Sequence, residues 1–254
     1  MLRVLLERFR QGHRTVGYPS QEPSLPDRFR GRPEVKPGAC PESCRACLEA
    51  CPTAAISREG PGLRLDLAHC LFCAACETAC PHGAIRMSRE YRMSARSLEG
   101  LVVGGGETQR MALAVHEQAR RLFGRSLKLR EVSAGGCNAC EADVNVLNTV
   151  VFDLGRFGVQ FVASPRHADG LLITGPVSAN MELALKKTYE AVPSPRIVIA
   201  VGACALSGGP FSGHLEVRGG ADAVVPVDLY VPGCPPHPYT ILDGILRFLG
   251  RLPA

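Results

Sequence analysis

The sequence has no tryptophan, few aromatic residues and no long apolar run. Aromatic residues make up 6% of its 254 residues. The longest apolar stretches, such as Ile197 to Leu206, fall well short of the roughly 20 residues that span a bilayer. Charged side chains interrupt the N-terminal stretch Leu2 to Phe9, so the sequence predicts no signal peptide. With 46% apolar and 21% charged residues, the composition predicts a soluble globular chain.

A phosphate-binding loop is also missing. Gly104 to Gly106 lacks the spacing of such a loop, and no Gly-Lys-Ser/Thr follows it. We interpret this stretch as a hinge. The next segment, Glu107 to Phe123, has apolar residues at helical spacing and is predicted to be a helix.

The net charge of +5 is unevenly distributed. Residues 1–36 carry 8 basic and 4 acidic side chains, and residues 86–130 are also basic. Nucleic-acid binding is one interpretation of such tracts. Basic arms on acidic proteins or anionic lipid head groups are the interpretation we favour. Within residues 1–17, Leu2, Leu5, Leu6 and Phe9 recur at helical spacing. This amphipathic helix is predicted either to lie on a membrane or partner, or to pack on its own domain.

Cysteine is abundant, with 12 residues, and without a secretory signal this favours metal binding over disulfides. Residues 44–56 recur 29 positions later as residues 73–85, and each copy follows a further cysteine, Cys40 or Cys70. The second copy reads Cys-x2-Cys-x2-Cys-x3-Cys-Pro. In this spacing three cysteines hold one cluster and the fourth crosses to the other cluster. The predicted first set is Cys40, Cys44, Cys47 and Cys80, and the second set is Cys51, Cys70, Cys73 and Cys76.

One departure from the repeat is an extra residue between Cys40 and Cys44, which predicts a bulge in that loop. Two Cys-x-x-Cys pairs alone would suit zinc, but a duplicated array with two Cys-Pro endings does not. The array resembles the bacterial two-cluster ferredoxin module. We expect His69, His82 and His237, which lie beside cysteines, not to be ligands, because each cluster already has four thiolates.

A third set of cysteines lies in the second half of the chain. Cys137 and Cys140 form a Cys-x-x-Cys pair after a predicted strand, a pattern that also suits a redox dithiol or half a zinc site. Cys204 and Cys234 each follow a further predicted strand. Ligand sites in parallel sheets lie beyond the carboxyl ends of the strands. The sequence therefore predicts that these four thiolates meet in one crevice, as a cubane cluster requires.

Strands alternate with helices from residue 126 onwards, which predicts a parallel sheet covered on both faces. Among the predicted elements are a helix at Ala142 to Phe152 and a strand at Ile197 to Val201. The predicted fold is an α+β two-cluster ferredoxin module followed by an α/β flavodoxin-like domain with a parallel sheet. The predicted divisions are a basic leader (1–36), the ferredoxin domain (37–90), a linker and helix (91–125) and the α/β domain (126–254).

The second half resembles the small subunit of membrane-bound nickel–iron hydrogenases, a family related to the terminal-cluster 20 kDa subunit of respiratory complex I. The matching stretches are residues 134–141, 163–169, 201–204 with Gly208-Gly209, and 231–236. The first half, including Tyr18-Pro19 and Phe29-Arg30-Gly31, resembles the ferredoxin subunit of formate hydrogenlyase-type complexes. The chain is thus expected to be a fusion of two subunits that are usually separate.

The resemblance implies an electron-transfer subunit with three 4Fe–4S clusters, the third being proximal to a large catalytic subunit that carries any nickel. No complete active site is then expected on this chain. Implied partners are a large hydrogenase-like or complex I 49 kDa-like subunit, membrane arm subunits and an electron-donor subunit, without nucleic acid. The implied location is peripheral, on the cytoplasmic face of the inner membrane. The alternative is a complex I-like NADH/ferredoxin:quinone oxidoreductase lacking nickel; the Cys137-x-x-Cys140 spacing resembles the hydrogenase branch.

The resemblance also implies roles for other residues near the third set. The family commonly has glycine where this chain has Ala139, and glutamate where it has Asp143. Glu141 and Asp143 are therefore alternatives for an acid that assists proton transfer. Arg166 and His167 correspond to a segment facing the large subunit, where they would tune the cluster or line a quinone or proton path. The alternative is that Arg166 pairs with Asp169 or another acid and that His167 caps a turn.

Two hypotheses belong to other classes of protein. One is a structural zinc module whose basic arms bind nucleic acid, and iron and sulfide analysis would exclude it. The other is a free-standing ferredoxin-like carrier, which a stable co-purifying partner would exclude.

Overall fold

The structure is a computed structural model that describes residues 2–36, 38–60, 62–104, 123 and 126–252. Its α-helices are α1 (Leu2–Gln11), α2 (Ala46–Glu49), α3 (Ala75–Ala79), α4 (Ala139–Val146), α5 (Ala179–Ala191), α6 (Ala203–Ser207) and α7 (Pro238–Phe248). Its strands are β1 (Pro33–Val35), β2 (Ile56–Glu59), β3 (Gly62–Asp66), β4 (Ile85–Met87), β5 (Val102–Gly104), β6 (Leu127–Ser133), β7 (Val159–Phe161), β8 (Gly170–Thr174), β9 (Ile197–Val201) and β10 (Leu229–Val231).

A five-stranded sheet forms the centre of the second half, in the order β10-β9-β8-β6-β7. All of its pairings are parallel, which confirms the predicted α/β architecture. Every residue of β8 and β9 is buried, because their side chains are apolar and helices cover both faces of the sheet. In α7, every residue except Arg247 is buried, so this helix is part of the core.

The helix predicted at Ala142 to Phe152 corresponds to α4, which begins and ends earlier. Asn138 has a left-handed backbone (φ 71°), so the loop turns there and Ala139 starts the helix. After Val146 the chain continues in tight turns, in which the N–H groups of Asn148 and Thr149 bond to carbonyls three residues back. The predicted hinge, apart from Gly104, and the helix predicted at Glu107 to Phe123, apart from Phe123, lie outside the described residues.

The first half confirms the predicted α+β ferredoxin module. β1 pairs with β4, and β2, β3 and β5 form an antiparallel sheet. Each copy of the cysteine repeat supplies one short helix, α2 or α3, followed by one strand, β2 or β4. The buried side chains of Leu63, Leu65 and Leu67 form the apolar centre beneath the cysteine loops.

The leader connects the two halves of the chain. As predicted, it is extended over the surface: the N–H groups of Gly31 and Arg32 bond to the carbonyls of Ser88 and Glu90. Tyr18 is one of its buried residues: it is 5% exposed, and its ring packs against Tyr91 and Tyr239.

A buried polar contact holds Tyr18 in place. Its hydroxyl donates to Oδ1 of Asp243 in α7 over 2.7 Å, and Nε of Arg247 donates to Oδ2 of the same carboxylate over 2.9 Å. Asp243 is 1% exposed, so its charge is stabilised by these two donors rather than by water. This buried carboxylate therefore helps to attach the leader to the α/β domain, together with hydrogen bonds such as those from Arg156 to the carbonyls of Val16 and Tyr18.

Helix α1 has no buried residue, so its packing on its own domain, one of the two alternatives, is not observed. The apolar side chains Leu2, Leu5, Leu6 and Phe9 are between 56% and 88% exposed. Within the described ranges, no helix combines the length and hydropathy required to cross a membrane.

Tyr18→Phe tests the attachment of the leader. The variant loses one hydrogen bond to a carboxylate, an interaction worth about 1.5–3 kcal/mol, so local opening becomes at least about tenfold more frequent. Hydrogen exchange should accelerate in residues 15–21, where Val16 N–H is bonded to the Val151 carbonyl. Tyr189→Phe is the control: it removes a tyrosine hydroxyl from α5 and should leave hydrogen exchange in residues 15–21 unchanged. Equal exchange in all three proteins would contradict the role assigned to Tyr18.

Candidate iron–sulfur sites

The structure brings Cys80 to the three cysteines that begin the first copy of the repeat. Cys47 is buried, and burial raises the pKa of its thiol, with further increases from the neighbouring thiols of Cys40, Cys80 and Cys44. Around Cys80, hydrogen bonds from backbone N–H groups of residues 82–85 outweigh the effect of burial and lower the pKa of that thiol. The four members of the first set are thus neighbours.

The second set is assembled in the same way. Burial raises the pKa of Cys70 to about 12, and the thiols of Cys76, Cys51 and Cys73 contribute to this rise. Burial and the same neighbours raise the pKa of Cys76 to about 11. Cys51, from the first copy, therefore lies with the three cysteines of the second copy.

The third set lies at the carboxyl end of the parallel sheet. Cys137 follows β6, Cys140 lies in α4, Cys204 lies in α6 directly after β9, and Cys234 follows β10. Burial raises the pKa of Cys140, and the thiols of Cys204, Cys234 and Cys137 add to the effect together with Glu141. Three strand ends deliver these thiols to one crevice, where the topology of parallel sheets places ligand sites.

Glycines allow the backbone to approach the thiols of the third set. A Cβ atom at Gly202 (φ +91°) would overlap with Sγ of Cys140, and one at Gly209 would lie 3.0 Å from Sγ of Cys204. A Cβ atom at Gly233 (φ +152°), the residue before Cys234, would likewise overlap with the backbone of Pro236. The crevice is therefore shaped by glycines, which have no side chain, as well as by the cysteines.

The donor set fits iron–sulfur clusters. Four thiols in one place, several of them partly buried, disfavour one another's charged form, so four thiolates can coexist there only with a compensating positive charge such as iron. Backbone N–H groups already point at sulfur: Ala55 to Cys51 and Ala84 to Cys80 over 3.2 Å, and Phe72 to Cys70 over 3.3 Å. Among the described residues, no three His, Cys, Asp or Glu side chains are close enough to hold a single ion.

The second and third sets approach each other through Cys73 and Cys234. The pKa of Cys234 is raised chiefly by burial. The thiols of Cys137 and of Cys73, a member of the second set, raise it further. A cavity of about 410 Å³ beside them is lined by Arg28, Arg30, Asp143, Cys234 and His237, among others. Of the two ferredoxin sets, the second is therefore the one that approaches the third set, through the thiol of Cys73.

Two acids beside the third set have different surroundings. Glu141 is 6% exposed and accepts bonds from Oγ of Ser133 (2.6 Å) and Oγ1 of Thr174 (2.7 Å). These bonds outweigh burial and lower its pKa. Asp143 lines the open cavity, and burial raises its pKa. Glu131, which sequence reasoning missed, has its pKa raised to about 7 by burial and by Glu141.

Arg166 and His167 lie in a short 3₁₀ turn and are exposed. No ion pair joins Arg166 to Asp169 among the described residues; Asp169 accepts a hydrogen bond from the backbone N–H of Lys128 over 2.7 Å. The structure does not bring Arg166 or His167 into the hydrogen-bond network of Glu141.

The histidines beside the cysteines have other partners or are exposed. His69 bonds to Asp66 over 2.9 Å, and His237 stacks on Tyr239 and caps α7. His82 is exposed.

Sequence reasoning also missed Arg58, which lies in β2 against the first set. Its Nη2 is 3.2 Å from Sγ of Cys40 and donates to the carbonyls of Pro41 (3.1 Å) and Cys44 (2.9 Å). The repeat offered a signal for this residue. At its offset of 29 positions, Arg58 corresponds to Met87, so the two copies differ here by a charged side chain.

Comparisons with known proteins agree with this architecture. Residues 137–248 match the family described as NADH ubiquinone oxidoreductase, 20 Kd subunit, and residues 39–84 match the 4Fe-4S dicluster domain. A relative from Pyrococcus furiosus, the probable membrane-bound hydrogenase subunit mbhJ, is 43% identical over 53% of this chain and 81% of its own length.

Two further relatives match the same half of the chain. Formate hydrogenlyase subunit 7 of Escherichia coli is 45% identical over 50% of this chain and 50% of its own length. A subunit of the NADH-quinone oxidoreductase of Heliobacterium modesticaldum is 41% identical over 47% of this chain and 69% of its own length.

The dicluster domain and the cysteine-lined sheet edge thus define a 4Fe–4S-binding component of oxidoreductase complexes. More narrowly, the chain belongs to the family of the 20 kDa subunit of NADH ubiquinone oxidoreductase.

Gly202→Ala tests the shape of the third site. The new methyl group would overlap with Sγ of Cys140, so the variant should lose the third cluster and about a third of the chain's iron. Iron analysis and electron paramagnetic resonance (EPR) spectra of the reduced protein measure this loss. Gly213→Ala is the matched control, because its φ is also positive (+81°) but nothing lies within 4 Å of the new atom. Equal iron content in both variants would contradict the close approach.

Proposed function

We propose that this chain is the electron-transfer subunit of a membrane-associated, hydrogenase-like complex. It would pass single electrons through three 4Fe–4S clusters to or from a large catalytic subunit. The observation that carries the proposal is the convergence of all 12 cysteines into three sets of four, with a thiol of the second set beside the third. The names of the hydrogenase and formate hydrogenlyase relatives support the type of complex.

In this proposal each set holds one cluster through four thiolates. When bound, such clusters exchange single electrons with little structural change. The chain's own groups would orient the thiolates, exclude water by burial and donate backbone hydrogen bonds to sulfur, as Ala55, Phe72 and Ala84 do.

The third set is the proposed contact with the large subunit. Cys137 and Cys234 are exposed on the chain as it stands, whereas a working cluster requires shielding from water. Arg166 and His167 are exposed as well, so both are available to a covering subunit. Glu141, Asp143, Arg166 and His167 are the proposed groups for tuning the third cluster or moving protons. Of the two acids, Asp143 has access to the open cavity.

Attachment to the membrane is proposed to be peripheral, on the cytoplasmic face, through partner subunits and α1. The exposed side chains of Leu2, Leu5, Leu6 and Phe9 share one face of α1, and Arg3, Arg8 and Arg10 lie beside it. This arrangement suits an anionic lipid surface. Proposed partners are a large hydrogenase-like or 49 kDa-like subunit, membrane arm subunits and an electron-donor subunit.

A second candidate function is a complex I-like NADH/ferredoxin:quinone oxidoreductase without nickel. The match of residues 137–248 to the 20 kDa subunit family favours it, as does the NADH-quinone oxidoreductase relative. The Cys137-x-x-Cys140 spacing favours the hydrogenase type.

Metal analysis of the intact complex distinguishes the two functions. The complex would be isolated anaerobically from solubilised membranes through a tag on this chain. The first proposal expects a large subunit to co-purify with nickel as well as iron. Iron without nickel in a complex that retains the large subunit would establish the second candidate instead. Recovery of the chain alone, with zinc and no iron, would contradict both.

The crossing of Cys51 and Cys80 is tested by a pair of mirrored variants. Cys51→Ser should alter the EPR signal of the cluster held by Cys70, Cys73 and Cys76, and Cys80→Ser should alter the other ferredoxin signal. Cys234→Ser is the control, because it should remove only the third signal. If each serine instead disturbs the cluster of its own repeat copy, the crossing is wrong.

A further inference from the structure

Arg58 brings a positive charge into contact with the first set of cysteines. Its Nη2 lies 3.2 Å from Sγ of Cys40. Its Nε and Nη1 are buried, and neither has a hydrogen-bond partner among the described residues. Buried N–H groups without an acceptor cost free energy, so a guanidinium in this state indicates that an acceptor belongs beside it. The sulfur atoms of a cluster held by the adjacent thiolates are such acceptors.

Arg58 is also linked to the irregular part of the repeat. The loop from Cys40 to Cys44 contains the extra residue, and Nη2 of Arg58 donates to the carbonyls of Pro41 and Cys44 in that loop. The longer loop is thus tied to β2 by the same side chain that contacts Cys40. Such contacts hold the guanidinium in one orientation relative to the thiolates.

The second set has no charged group at the corresponding place. The two copies are related by 29 positions, so Ala55 corresponds to Ala84, and both donate a backbone N–H bond of 3.2 Å to a cysteine sulfur. At the same offset Arg58 corresponds to Met87, which lines a pocket together with Cys51, Cys70 and Cys76. The two sites therefore share their backbone donors and differ at this position, with a guanidinium against one set and a thioether against the other.

We propose that Arg58 raises the reduction potential of the first cluster above that of the second. Each reduction adds one negative charge to the cluster and its thiolates, and a nearby cation with charge-assisted N–H donors stabilises the more negative state. The thioether of Met87 offers neither a charge nor a donor. In a partly reduced chain, the electron then resides on the first cluster, the one farther along the path from the third set. This inference rests on the proposed function, because it requires both ferredoxin clusters.

An EPR-monitored redox titration of the full chain tests the proposal. In the wild-type protein, the first cluster should be reduced before the second, with signals assigned through the Cys51→Ser and Cys80→Ser variants. Arg58→Met gives the first site the side chain of the second site. It should lower the equilibrium constant for reduction of the first cluster about tenfold, which is a fall of about 59 mV in its reduction potential for one electron. The reduction potential of the second cluster should not change.

Two controls separate a tuning role from a structural one. Arg45→Met removes an equal charge beside Cys44, but from an exposed side chain, so solvent screening should leave the potential nearly unchanged. Arg58→Lys keeps the charge, so the first cluster should still be reduced before the second. If Arg58 only braces the loop, Arg58→Met would lower iron content while the assembled clusters keep their wild-type potentials.

The outcomes decide the proposal in each case. A wild-type protein in which the second cluster is reduced first overturns it, as does an unchanged potential in Arg58→Met. If Arg58→Met fails to assemble the first cluster, the wild-type order and Arg58→Lys still decide. Absence of both ferredoxin signals from wild-type protein would instead overturn the proposed function.

Discussion

Repulsion between neighbouring buried thiolates is the constraint on which the rest of this structure depends. Each set collects four sulfur atoms in one place. Burial together with the neighbouring thiols raises the pKa of Cys47 in the first set, of Cys70 and Cys76 in the second, and of Cys140, Cys204 and Cys234 in the third. Without a cation the sites favour protonated thiols over the thiolates that hold a cluster. Iron binding therefore contributes directly to the stability of the folded chain, as in other proteins whose metal site forms only on folding. The short helices and strands around the sites depend on that contribution.

The scaffold meets this constraint differently in the two halves. In the first half, the loops that precede β2 and β4 supply backbone donors to sulfur, with Arg58 as an additional cation. In the second half, a long-range parallel sheet supplies rigid strand ends, and glycines such as Gly202 remove the side chains that would obstruct the thiols. The leader joins both halves through Tyr18 and the buried carboxylate of Asp243.

The elements that carry strong local signals were predictable from sequence. Cysteine spacing predicted which thiols lie together, and apolar runs predicted the parallel strands, with β9 correct at both ends. The early start of α4 was not predictable, because it depends on the left-handed backbone of Asn138. Glu131, Arg58 and the partner of Asp169 were missed or wrong for another reason. Their environments arise from strands distant in sequence, and no local pattern encodes burial beside a particular neighbour.

The exchange of Cys51 and Cys80 between the two copies has a consequence for biosynthesis. Because the first set includes Cys80, no cluster can be closed on the emerging chain until nearly the whole module has left the ribosome. The two copies also interlock, so that damage to one cluster by oxygen frees a cysteine in the loop that binds the other. In the proposed exchange, loading and loss of the two clusters are coupled, because each cluster depends on a cysteine of the other copy.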